Sequence, residues 1–144
     1  MAHDEYLATQ IMTAPPAQLH LLVIDGAIRF AKQAVLALEA SDYEQANNRF
    51  VRCRNCVSEL ITGLDDNQLP EVVTQLKAMF TFVYDRIVRA DLNHDAQLVD
   101  DALEVLNAHR DTWLRLMELE SPQSSIGTPT TASQTPSDTT EWVG

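Results

Sequence analysis

YLATQIMTAPPAQLHLLVIDGAIRFAKQAVLAL, residues 6–38, decides the fold of this chain. It joins an aromatic-bearing arm to a long helical segment through the break Thr13-Ala14-Pro15-Pro16. Leu19, Leu22, Gly26, Phe30, Ala34 and Leu38 recur at helical spacing and make one apolar stripe, which reads as the core-facing one. A second stripe runs around the helix from Leu21 and Ile24 through Ile28 and Ala31 to Val35. One buried face needs one stripe. Two imply a helix at the centre of the fold, or one that keeps apolar surface for something else. Gly26 sharpens the question, because glycine inside a helix costs ~1 kcal/mol against alanine. Its presence among good helix formers points to close backbone approach, either by a packed helix or by an extended peptide.

Three more helical segments of similar length follow. The second opens at Ser41-Asp42-Tyr43-Glu44, which reads as a Ser-x-x-Glu capping box, and ends near Gly63. Its stripe is Ala46, Phe50, Cys53, Val57, Leu60 and Leu64. The third begins about Leu69-Pro70, with Val73, Leu76, Phe80, Val83, Ile87 and Ala90 in register. The fourth opens after Asn93 and carries Val99, Ala102, Leu106, His109, Trp113 and Leu116. The connections are a few residues long, which forces sequential helices to lie antiparallel. No stretch sustains the alternation of a strand. The expected fold is all-α: an antiparallel up-down four-helix bundle over residues 16–120, preceded by an arm over 1–15.

After Glu120 the composition changes. Residues 121–144 are mostly Ser, Thr and Pro, without Lys or Arg, and only Ile126, Trp142 and Val143 are large and apolar. Such a segment buries too little surface to offset its chain entropy, so a disordered tail is expected. Glu141-Trp142-Val143 reads as an incidental apolar spot or a short docking motif.

Size and charge narrow the function. At 144 residues the chain fits one domain with a real core. Its net charge of −11 argues against a nucleic-acid partner, since phosphate neutralisation needs a basic face. Arg49, Arg52 and Arg54 cluster in sequence but read as a solvated helix face. No run of about 18 apolar residues is present to span a membrane, and Asp4 and Glu5 stand where a secretory signal would be basic. A cytoplasmic location is the expectation.

The chemistry-bearing residues do not assemble into a catalytic set. Cys53-x-x-Cys56 lies mid-helix, not at the helix N-terminus where a dipole activates a thiol, and Cys53 falls on an apolar stripe. Two thiolates make half a zinc site, and no matching Cys or His pair accompanies them. His3, His20, His94 and His109 include no i, i+3 or i, i+4 pair, and His109 reads as a hydrogen-bonded core or boundary residue. Asp65-Asp66 and Asp100-Asp101 are adjacent, so their side chains diverge. No catalytic residue, metal ligand or cofactor is assigned.

The same N-terminal stretch carries a family resemblance. Tyr6, Ile11-Met12-Thr13-Ala14, Pro16, and Leu19 through Asp25-Gly26-Ala27-Ile28-Arg29-Phe30 resemble the start of the flagellin-specific export chaperones, the FliS family. Arg52 to Leu60, Leu76 to Asp91, and Arg110-Asp111-Thr112-Trp113 are similar to later parts of that family, so the resemblance covers roughly residues 6–118. Pro15 stands where the family usually has Ser, Ile24 and Phe80 where it has Tyr, and Asp91 where it has Asn. Cys53 and Cys56 replace Ala and an aliphatic residue.

The resemblance implies a four-helix bundle that binds the disordered C-terminal region of flagellin, prevents its premature polymerisation and escorts it to the flagellar export gate. It implies no catalysis. On this reading Tyr6, Leu7, Ile11 and Met12 cap part of the apolar surface in the free protein. The surplus stripe, Leu21, Ile24, Ile28 and Val35, meets the cargo. A different class of function is an adaptor or regulatory bundle that homodimerises through the same stripe. The free protein is expected to be a monomer or weak dimer.

Overall fold

Periodicity and turn chemistry together give four helices, α1 Pro16–Glu39, α2 Tyr43–Thr62, α3 Pro70–Asn93 and α4 Ala96–Glu120. A computed structural model describes residues 16–65, 67 and 69–120, with no strand among them. The arm and the tail lie outside the described residues. The chain divides after Arg110 into two compact units. The first holds α1, α2, α3 and α4 up to Arg110; the remaining turns of α4 belong to the second.

Side-chain pairs in the first unit set the topology. Ala27 meets Cys53 across α1 and α2, Asn47 meets Asp91 across α2 and α3, and Phe80 meets His109 across α3 and α4. His20 closes the ring from α1 to α4. Gly26 beside Cys56 and Arg86 paired with Asp101 show one partner climbing as the other descends across α1–α2 and α3–α4, and the short links run the helices up and down in turn. The expected antiparallel four-helix bundle is the fold.

Two of the links use one device. Ser41 adopts a left-handed backbone (φ 58°), its N–H donates to the Leu38 carbonyl at 2.9 Å, and the Asp42 N–H reaches the Ala37 carbonyl at 2.8 Å. These paired bonds satisfy carbonyls that the end of α1 would otherwise leave open. His94 repeats the arrangement after α3 (φ 52°), with the Asp95 N–H donating to the Ala90 carbonyl at 3.0 Å. The following aspartate then opens the next helix. Asp42 accepts from the Gln45 N–H at 3.1 Å, and Asp95 from the Gln97 N–H at 2.9 Å.

This corrects the Ser41–Glu44 capping box, which lies one residue early. Ser41 is committed to closing α1, so Asp42 caps α2. Gly63 does end α2, but with a right-handed backbone (φ −80°) that makes no use of glycine's freedom.

The core collects Ile24, Phe50, Val57, Phe80, Val83, Ile87, Val99 and Leu106, all essentially closed to solvent. Full burial stabilises each by about 1.5–3 kcal/mol relative to exposure. The α4 stripe holds through His109, but Leu116, expected in line with it, is 46% exposed in the second unit. Asp91 ties α2 to α3. It accepts from Asn47 at 2.7 Å and pairs with Arg54 at 3.2 Å.

Candidate peptide-binding groove

The large side chains of the two apolar stripes of α1 exchange the roles expected of them, while the small ones of the first stripe, Gly26 and Ala34, stay buried. Ile24 is 0% exposed, Ile28 8% and Leu21 9%, so the stripe read as surplus faces the core, with Val35 half-buried at its end. Leu19, Leu22 and Phe30, read as core, are half-buried instead. They line a groove of about 780 Å³ along α1 and the C-terminal half of α2. None of Leu21, Ile24, Ile28 and Val35 lines it. Tyr6, Leu7, Ile11 and Met12 lie outside the described residues.

The exchange has a local cause. α1 packs most closely on α2, and its inward face is set by small residues: Gly26, Ala27, Ala31, Ala34 and Ala37 are all buried. A Cβ placed on Gly26 would stand 3.2 Å from Cys56 Sγ, and the Cys53 thiol donates to the Ala27 carbonyl at 3.3 Å. Glycine and the cysteines are thus complementary parts of one tight helix seam. Drawing α1 in along that seam turns Ile24 and Ile28 inward and leaves Leu19, Leu22, Val23 and Phe30 along the open side.

The groove is apolar along its floor and charged at its edges. Leu60 and Leu64 face it from the end of α2 and the link beyond. Asp25, on the α4 side, is paired with Arg110. At the far end Arg29 and Arg52 lie over the Phe30 ring, 5.0 and 5.7 Å from its centroid.

His20, one of the residues that line the groove, forms a histidine pair that no spacing rule finds, because its members are 89 residues apart in sequence. His20 and His109 bring their Nε2 atoms to 3.0 Å, and the Phe80 ring stands edge-on to His109 at 5.1 Å. Such contact needs one Nε2–H donor and one neutral acceptor. Burial, with His109 beside it, lowers the His20 pKa to about 4, and burial lowers that of His109 as well. The expected hydrogen-bonded role of His109 is what the fold supplies.

Burial also pushes the Cys53 thiol up to about 12 and raises that of Cys56. Both remain protonated near neutral pH, poor nucleophiles and poor metal ligands. Among the described residues no three His, Cys, Asp or Glu side chains converge as a metal-binding group. No helix among them is long and apolar enough to cross a membrane.

A shallow apolar groove on a helical bundle suits an amphipathic or extended segment of another chain. Comparison with known proteins identifies a family. The family described as "Flagellar protein FliS" matches residues 1–120. The flagellar secretion chaperone FliS of Bacillus subtilis is 27% identical over 118 residues, covering 82% of this chain and 87% of the relative. That of Salmonella typhimurium is 28% identical over 116 residues, 80% of this chain and 86% of the relative. That of Campylobacter jejuni is 24% identical over 113 residues, 78% and 88% respectively. With its helices, its N-terminal signature and a match spanning all four helices, the chain belongs to the FliS family of flagellar secretion chaperones.

Proposed function

We propose that the chain is a cytoplasmic chaperone for flagellin. It binds the disordered C-terminal region of that subunit, holds it back from polymerising, and helps deliver it to the flagellar export gate. The observation that carries this reading is the apolar α1–α2 groove on a chain of this family. A subunit built to polymerise through its terminal helices exposes their apolar faces until assembly, and a groove of this kind can cover them.

On this reading, Leu19, Leu22, Val23 and Phe30 touch the cargo. Leu21, Ile24 and Ile28 support that face from beneath. Pro16 stands at one end of the groove, so the arm just before it needs only a short turn to cover Leu19 and Leu64. Tyr6, Leu7, Ile11 and Met12 are the side chains that would do so, yielding when flagellin arrives. Covering and release would then be one competition for one surface.

Titrating the full chain with a flagellin C-terminal peptide, by calorimetry and sedimentation, tests the proposal. A one-to-one complex is expected. A chain that self-associates and ignores the peptide would favour the homodimeric adaptor instead.

A further inference from the structure

Two cations meet at the Phe30 end of the groove. Arg29 and Arg52 approach the same ring from facing helices. Both are exposed, and neither forms an ion pair with a described residue. In a chain of net charge −11, two cations over an aromatic ring, without an ion pair among the described residues, define their occupant. It should offer an aromatic or apolar side chain with a carboxylate beside it. Of the acidic groups at the groove, Asp25 is taken by Arg110, and Glu59 lies two helical turns from Arg52 toward Leu64. The attraction for an acidic segment is therefore concentrated at Phe30.

The chain contains such a segment. Beyond Glu120 it has no Lys or Arg, its only large aromatic is Trp142, and Glu141 immediately precedes that residue. We propose that Glu141-Trp142-Val143 docks at this end of the groove, with Trp142 against the Phe30 ring and its guanidiniums and Glu141 paired with Arg29 or Arg52. The tail is then a tethered competitor for cargo, acting at the end opposite Pro16.

Reach allows it. Arg110 is held to Asp25 at the groove. About ten helical residues and about twenty of the tail separate it from Glu141. The turns of α4 past Arg110 add up to about 15 Å to be bridged and no reach of their own, while the twenty tail residues span at most roughly 66–72 Å extended and roughly 25 Å r.m.s. as a flexible coil. Tethering at such a span gives an effective concentration near the millimolar range, so even a weak contact is populated.

The test uses the full chain and no flagellin, so its outcome is independent of which cargo the groove takes. The indole N–H resonance of Trp142 is assigned by its loss in Trp142→Phe. In the unmodified chain it should lie away from the random-coil position. It should return there in Arg29→Gln/Arg52→Gln, with helix content by circular dichroism unchanged. Trp142→Ala should tighten binding of the groove probe anilinonaphthalene sulfonate by roughly three- to tenfold, the release expected when a tethered competitor is removed. Glu141→Arg should displace the indole, and adding Arg52→Glu should restore it. An indole already at the random-coil position would overturn the proposal. So would an indole unmoved by loss of both arginines, which would place the tail elsewhere.

Discussion

Leu22 and Ile24 stand two positions apart on α1 and are alike in size and hydrophobicity, yet Ile24 is sealed in the core and Leu22 opens to the groove. Periodicity gives the angle between two apolar faces but not which one turns inward. The deciding signal was the set of small residues that the two faces contribute together, Gly26 and Ala34 from one, Ala31 from the other and Ala27 beside them, because backbones approach where side chains are small. Gly26 and Cys56 test that account. Gly26→Ala alone should change stability by less than about 1 kcal/mol, its gain in helix propensity offset by crowding against Sγ at 3.2 Å. With Cys56→Ala the crowding disappears. The pair should then show a favourable coupling of roughly 0.5–1 kcal/mol in a double-mutant cycle read by urea unfolding.

The histidine pair makes a prediction about pH. His20 is held near 4 in the fold and titrates near 6.5 when unfolded. The unfolded chain therefore takes up protons first as pH falls. Stability is complete above pH 6.5 and declines from there toward pH 4, where the folded ring also protonates. Because solvent still reaches these rings, the loss should be on the order of 1–2 kcal/mol and not the full value of the shift. Carboxylates titrate in the lower part of the same window, so the measurement is the difference between the protein and His20→Gln. The variant should be less stable at neutral pH and less sensitive to pH between about 7 and 4.5.

Among the elements, helix existence and extent were legible in the sequence because each has a long apolar period bounded by breakers. Pro16, Pro70 and the short polar links leave little freedom in where the helices begin and end. The cap of α2 was not legible to the residue. Ser41 and Asp42 are both good capping residues, and only the way α1 closes assigns Asp42 the task. Ser41 occupies a left-handed position that favours glycine, and its side chain is exposed. Ser41→Gly should stabilise the protein by about 0.5–1 kcal/mol, visible as a rise of a few degrees in Tm. Asp42→Ala should destabilise by about 1 kcal/mol. If the box began at Ser41, removing its hydroxyl would be the costly change.

At the scale of the whole molecule, the bundle and its family were both readable, the fold from periodicity and the family from the Asp-Gly-Ala-x-Arg-Phe run placed after its Thr-Ala-x-Pro break. The groove was not, because it is made by two helices together. Leu60 and Leu64 are ordinary stripe residues on α2, and they acquire a role only when the Gly26–Cys56 seam sets α1 beside them. The histidine pair was hidden for the same reason, its members lying on the first and last helices. The cysteines, by contrast, were legible as packing residues from their place in mid-helix. Cys53→Ala with Cys56→Ser should leave peptide binding intact at a stability cost of about 1–3 kcal/mol.

The central claim is that the open face of α1, and not its buried one, meets the cargo. It is tested most directly by measuring flagellin-peptide affinity and unfolding free energy on the same variants. Leu22→Asn and Phe30→Ala should weaken binding by well over tenfold, since a buried aliphatic contact is worth roughly 1.5–3 kcal/mol. They should cost the bundle clearly less stability than Ile24→Asn. Ile24→Asn should instead unfold much of the protein, with affinity per folded molecule nearly unchanged. If folded Ile24→Asn loses the peptide while Leu22→Asn and Phe30→Ala bind normally, the cargo does not lie in this groove.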